Sequence, residues 1–120
     1  MDKVKELSTV DQVMSYIKKQ KHVGASSLML TSGGSPTISI GGKTIEDKKS
    51  RIGISLSGKS HRHVIDAFIE TAIGSEKIIG SDTKKDISSI RINNETLGKL
   101  RASALRGYDR QFSALRIHFD

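Results

Sequence analysis

A period of two near the C-terminal end constrains this chain more than any other feature. Across residues 97–106 the apolar Leu100, Ala102 and Ala104 alternate with Lys99, Arg101 and Ser103; across residues 111–119 Leu115, Ile117 and Phe119 alternate with Arg116 and His118. Successive side chains of a strand point to opposite faces, so each segment reads as a β-strand with one apolar and one wet face. The two are expected to pair antiparallel across Gly107-Tyr108-Asp109, and residues 86–92, Asp-Ile-Ser-Ser-Ile-Arg-Ile, offer a third strand beside them.

The N-terminal half has a different rhythm. Val10, Val13, Met14 and Ile17 follow the i, i+3, i+4, i+7 spacing of an amphipathic helix, with Thr9 and Gln12 at capping-box distance ahead of it. Lys18, Lys19 and Lys21 crowd its last turn, where cations oppose the negative end of the helix dipole, and Gly24 can supply a left-handed exit. Two short apolar runs, Leu28/Leu30 and Ile38/Ile40, flank Ser32-Gly33-Gly34-Ser35-Pro36 and read as a β-hairpin. Residues 41–58 are polar and read as a long connection. Ser60 is placed to cap a second helix with Val64, Ile65, Phe68, Ile69, Ala72 and Ile73 on its apolar stripe, ending at Gly74; its other face would carry His61, Arg62, His63, Asp66 and Glu70. The order helix, two strands, helix, three strands predicts an α+β domain. Its mostly antiparallel five-stranded sheet would carry helices on one face, over residues 8–120, with residues 1–7 as a tail.

Composition narrows the classes of function. At 120 residues, 35% of them hydrophobic, the chain is one domain. The absence of Cys removes disulfides, thiolate nucleophiles and Cys-bound zinc. Twenty Lys and Arg against thirteen Asp and Glu give a formal charge of +7, which favours anionic partners. A nucleic-acid-binding module is the competing reading, opposed by only 4% aromatic residues and no Trp. No signal peptide and no apolar run of about 18 residues occurs, so the expected location is the cytoplasm.

Residues 53–60, Gly-Ile-Ser-Leu-Ser-Gly-Lys-Ser, match the phosphate-loop pattern G-x-x-x-x-G-K-[ST] letter for letter. The segment before Gly53 is Glu46-Asp47-Lys48-Lys49-Ser50-Arg51, not the buried strand that must feed such a loop, and no apolar run ending in Asp can hold magnesium. The match reads as accidental; the rival, a miniature phosphate-loop enzyme, would require Lys59 to support ATP turnover. His61 and His63 have no carboxylate partners at metal-ligand spacing, Asp109 and Glu70 stand singly, and no Gly-x-Ser-x-Gly elbow is present. No catalytic or metal-binding residue is therefore expected. Lys99, Arg101, Arg106, Arg110 and Arg116 against Asp109 alone make the C-terminal strand pair the informative feature, because Arg clamps phosphate in a fixed fork.

Two blocks resemble a known family. Gly24-Ala25-Ser26-Ser27-Leu28-Met29-Leu30 through Ser32-Gly33-Gly34-Ser35-Pro36 resembles the G-A-S-D-L-H-L-x-x-G-x-x-P opening of the N-terminal domain of the PilT/DotB-type secretion, conjugation and pilus motor ATPases. Gly98-Lys99-Leu100-Arg101-Ala102, continuing to Ala114-Leu115-Arg116-Ile117, resembles that family's G-R-F-R-V-N-x-F and closing A-x-x-R-x-I. Ser27, Met29 and Ser39 stand where the family usually has Asp, His and Arg. The resemblance implies a PAS-like N-terminal domain that assembles and regulates a homo-hexameric ATPase. It would pack on the RecA-like core of its own or a neighbouring subunit, in the cytoplasm beside the inner-membrane secretion machinery. It also implies that Arg101, Arg116 and Arg110 lie near the phosphates of ATP and its Mg held by that core. The chain itself would contain no cofactor and would not hydrolyse ATP alone.

Overall fold

The structure, a computed structural model, describes residues 4–53, 55–56, 59–73, 87–94, 97–106 and 112–119. Helix α1 (Val10–His22) starts at the anticipated capping box: the Gln12 amide donates to Thr9 Oγ1 at 3.2 Å and the Thr9 amide to Gln12 Oε1 at 3.1 Å. This satisfies two of the amides that a helix start leaves without intrahelical partners. The helix ends where Gly24 takes φ +93°, a conformation that costs glycine least. Val13, Tyr16, Ile17 and Gln20 form its buried face.

Strands β2 (Ser27–Thr31) and β3 (Thr37–Ile40) form the expected hairpin, with Leu28 opposite Ile38. The chain then departs from the expected long connection. Gly41 and Gly42, at φ +58° and +80°, make a two-residue turn, and β4 (Lys43–Glu46) returns along β3 with Lys43 opposite Ile40. Two glycines with positive φ match the twist of antiparallel strands, so the turn sets the register of an added edge strand. Strand β5 (Ser50–Ile52) follows, and the segment anticipated as an N-terminal tail pairs with it. Lys5–Leu7 is strand β1, parallel to β5, and Leu7 is buried in the core. The sequence 1–7 hides this strand because Leu7 is its sole core-facing residue.

The short β6 (Ser55–Leu56) pairs with β7 (Lys59–His63), and α2 (Val64–Ile73) begins directly after. Ser60, expected as a helix cap, therefore lies in a strand, as do His61, Arg62 and His63. Strands β8 (Ile87–Asn94), β9 (Gly98–Arg106) and β10 (Phe112–Phe119) are antiparallel as expected; the connection at 107–109 lies outside the described residues.

The main sheet has six strands, one more than anticipated, in the order β4-β3-β2-β10-β9-β8. The N- and C-terminal halves join where β2 pairs with β10. On one face the register sets Ile38, Leu28, Ile117 and Ala102 in a single row across four strands, with Leu30, Leu115 and Ala104 in the next. These residues form one core with Val13 and Ile17 of α1 and Val64, Ile65, Phe68 and Ile69 of α2, all of them buried. Each large apolar side chain so buried contributes about 1.5–3 kcal/mol of transfer free energy. Among the described residues no helix is long and apolar enough to cross a membrane.

Candidate functional site

With the helices committed to one face, the alternation of β9 and β10 carries their polar residues to the other. Arg101, Arg116 and His118 are exposed there, and Ser103 is half-buried between them. Arg116 is the register partner of Ser103, and His118 of Arg101. Arg101 and Arg116 are therefore diagonal neighbours on adjacent strands, a separation of about 7–8 Å between backbones, within reach of one multi-oxygen anion. A shallow cavity of about 260 Å³ opens between Arg101, Ser103 and His118.

Two contributors were not singled out in the sequence. Arg91 on β8 is the register partner of Arg101 and is exposed on the same face, since its neighbour Ile92 pairs with the buried Leu100. His118 follows from the alternation that placed Arg116. Both were legible as wet-face positions, but their alignment with Arg101 depends on the strand register. Arg110, the third anticipated phosphate contact, lies outside the described residues.

Lys99, two residues before Arg101 on β9, is exposed on the same face, and the strands beyond β10 carry mostly uncharged side chains. Ser27, Ser39 and Thr44 continue the row of His118, and Met29 and Thr37 continue that of Arg116. Among the described side chains of the face, the one carboxylate is Glu46, on the far edge strand β4.

The segment resembling a phosphate loop is built differently. A phosphate cradle needs free amides converging at the N-terminus of a helix that the Lys-Ser pair opens. Here the Gly53 amide donates to the Leu7 carbonyl at 2.9 Å, and Lys59 and Ser60 lie in β7, so α2 starts only at Val64. A Cβ on Gly53 would stand 3.1–3.3 Å from Glu6 Oε1, the Leu7 carbonyl and Ser8 Cα, which accounts for glycine there by packing against β1. Among the described residues no group of His, Asp or Glu is arranged to hold a metal ion.

A second polar feature lies on the helix side. Tyr16 of α1 donates its hydroxyl to Asp47 Oδ2 at 2.7 Å, and the Lys49 amide donates to Asp47 Oδ1 at 3.1 Å. Partial burial alone would push the Asp47 carboxyl upward. The hydrogen bonds from Tyr16, the Lys49 amide and Ser50, with the charge of Lys19, outweigh burial and hold it below its ordinary value. Burial, followed by the bond to Asp47 and its negative charge, pushes the Tyr16 phenol well above its ordinary range. The pair lines a cleft of about 570 Å³ with Lys5, Lys19 and Lys49, and reads as a latch between α1 and the β4–β5 turn.

No protein-family model matches the sequence, and no curated protein matches it. Among solved structures, the chain is similar to the X-ray structure of the ATPase DotB of Legionella pneumophila, at 12% sequence identity and a TM-score of 0.51. The match covers 98% of this chain and 31% of the DotB chain. At that identity the likeness is one of fold: nearly the whole domain has its counterpart in less than a third of an ATPase.

Proposed function

We propose that this chain is the N-terminal assembly and regulatory domain of a secretion, conjugation or pilus-type motor ATPase. In this reading it is a PAS-like module that packs on a RecA-like core of the same or a neighbouring subunit within a homo-hexamer, on the cytoplasmic side of the inner membrane. Its open sheet face meets the nucleotide site of that core, where ATP and Mg are bound. Arg101 and Arg116 supply guanidinium groups that offset phosphate charge and couple nucleotide state to the position of the domain. One observation carries this reading: the two arginines stand on the exposed face of adjacent strands, in a chain whose fold is matched over 98% of its length by part of the ATPase DotB. The chain has no ATP-hydrolysing site of its own in this reading, in keeping with Lys59 and Ser60 lying in a strand. The β2–β4 half of the face, with no Phe, Tyr or Trp among its described side chains, gives a single nucleic-acid strand no stacking platform.

The test uses the domain together with the ATPase core it serves. Arg101→Ala combined with Arg116→Ala should lower ATP turnover at least about tenfold, the loss of about 1.4 kcal/mol of phosphate stabilisation. Because both side chains are exposed, the melting temperature of the isolated domain should change by less than about 2 °C, as for surface substitutions. Undiminished turnover in the double variant would overturn the reading, as would ATP hydrolysis by the isolated chain that Lys59→Ala abolishes.

A further inference from the structure

One buried polar side chain has no hydrogen-bonding role in the fold. Gln20 of α1 is 7% exposed and sits on the same buried helix face as Tyr16 and Ile17. Among the described residues no hydrogen bond engages its side-chain amide. Buried polar groups are as a rule paired, and an unpaired one costs free energy. Gln12, two turns earlier, shows the contrast: its Oε1 accepts from the Ser8 and Thr9 amides at 2.8 and 3.1 Å. Gln20 instead lines the cleft of about 570 Å³ that α1 forms with β1 and β5.

The cleft runs along α1 from Asp11 to Gln20, nine residue steps of about 1.5 Å, or about 13 Å. An extended chain rises about 3.3 Å per residue, so about four residues of peptide fit along it. Lys19, Lys5 and Lys49 approach from α1, β1 and the β4–β5 turn; all are exposed, and among the described residues none of their ammonium groups enters an ion pair. Of the two carboxylates in the cleft, Asp47 already accepts from the Tyr16 hydroxyl at 2.7 Å and the Lys49 amide at 3.1 Å, which leaves the cations in surplus. The cleft's polar groups also select a class of ligand. An ionised phosphate offers acceptors alone, so it would leave the Gln20 carbonyl oxygen unpaired and stand beside Asp11 and Asp47. A peptide group offers one donor and one acceptor, and a glutamine amide matches both.

We infer that this cleft is a docking groove for an extended acidic peptide of about four residues, a segment of a partner protein. One peptide group pairs with the Gln20 amide, and carboxylate side chains meet Lys5, Lys19 and Lys49. The groove lies on the helix side of the sheet, so it leaves the open face clear, and the inference does not depend on the nucleotide reading. A bilayer surface is ill matched to it, because a flat array of headgroups does not reach a recessed amide.

The probe is acetyl-tetraglutamate amide, titrated calorimetrically into the purified chain at about 0.15 M ionic strength, where exposed charges more than about 8 Å apart are screened. One equivalent should bind, at least tenfold more tightly than acetyl-tetraglutamine amide or free glutamate. Gln20→Leu removes the amide and keeps the bulk, so it should weaken binding about tenfold while the melting temperature stays level or rises. Lys5→Gln combined with Lys19→Gln should weaken binding at least tenfold, and Lys99→Gln, on the open face, should leave it unaltered. Failure of the intact chain to bind, undiminished binding in Gln20→Leu or in the lysine pair, or loss in Lys99→Gln would each overturn the inference. So would a melting temperature lowered by more than about 2 °C in Gln20→Leu, which would give the amide a place in the fold. Tripolyphosphate binding more tightly than the peptide through Lys5 and Lys19 would overturn it as well.

Discussion

Tyr16→Phe isolates a single hydroxyl whose contribution can be worked from the geometry. The Phe ring fills the same buried space, so no cavity forms and the transfer free energy of the ring is retained. What is lost is the 2.7 Å bond to the Asp47 carboxylate, which ties α1 to the β4–β5 turn across thirty-one residues of sequence. A hydrogen bond to a charged acceptor contributes about 1.5–3 kcal/mol. Asp47 is partly open to water and keeps the Lys49 amide as a donor, so solvent screening brings the contribution down to about 1–2 kcal/mol. For a domain of this size that corresponds to about 4–8 °C in melting temperature.

The pH dependence gives the latch a signature that loss of packing would not produce. The carboxyl of Asp47 is held below its ordinary value of 3.8, so its contribution is present above that pH and is lost as pH falls through the lowered folded value. The Tyr16 phenol is raised above its ordinary 10.0, so its contribution is present below pH 10 and is lost as pH rises beyond it, toward the raised folded value. The stability gap between wild type and Tyr16→Phe should be flat through the neutral range and close at both ends. Thermal denaturation followed by circular dichroism from pH 2 to pH 11 measures it. A gap below about 0.3 kcal/mol at neutral pH, or one that persists unchanged at both extremes, would refute the latch; the first figure lies within the ordinary scatter of surface substitutions.

Phe68→Ala, which empties a fully buried ring position on α2, should cost about 3–5 kcal/mol by chemical denaturation, and a negligible change would mean that this face of the helix does not enter the core. Gly98→Ala forces a Cβ into a backbone at φ +74°, 2.6 Å from the Lys21 Nζ that donates to the Leu97 carbonyl, and should cost about 1–2 kcal/mol of backbone strain. Because the Lys21 tip is flexible and can swing away, adding Lys21→Ala should recover little of that loss; full recovery would place the cost in the clash rather than in the backbone.

What the sequence discloses here follows from how locally each element is determined. The capping box of α1, the β2–β3 hairpin and the alternation of β9 and β10 are set by residues within a few positions of one another, and all are found where their patterns place them. Strand β1 is not, because a three-residue strand shows less than two periods of alternation and its partner β5 lies more than forty residues away. Strand β4 was hidden by composition: Lys43-Thr44-Ile45-Glu46 is exposed throughout, as an edge strand can be, and only the Gly41-Gly42 turn marks it. Ser60 shows the converse error, since a good capping residue ahead of an apolar stripe does not start a helix when β6 recruits residues 59–63 as a partner. For the candidate site, alternation was enough to put Arg101 and Arg116 on the wet face, whereas bringing Arg91 alongside required the β8–β9 register.

The two places where this chain invites a phosphate differ in what their backbones have left to give. In residues 53–60 the letters suit an anion, but the Gly53 amide is committed to the Leu7 carbonyl, and the dipole of α2 begins at Val64, beyond the Lys-Ser pair. Recruiting that segment would mean breaking the contact that seats β1, exposing Leu7 from a core it fills at 1% exposure. On the open face strand pairing already satisfies the backbone, and the Arg101, Arg116 and His118 side chains stand exposed rather than in the core. Under the proposed function, nucleotide coupling should therefore be separable from stability: Arg116→Ala should lower ATP turnover with the core at little change in melting temperature, while Gly53→Ala should lower the melting temperature and leave turnover unchanged at temperatures where the domain is folded. A Gly53→Ala variant that stays folded and loses turnover would return the phosphate to the loop.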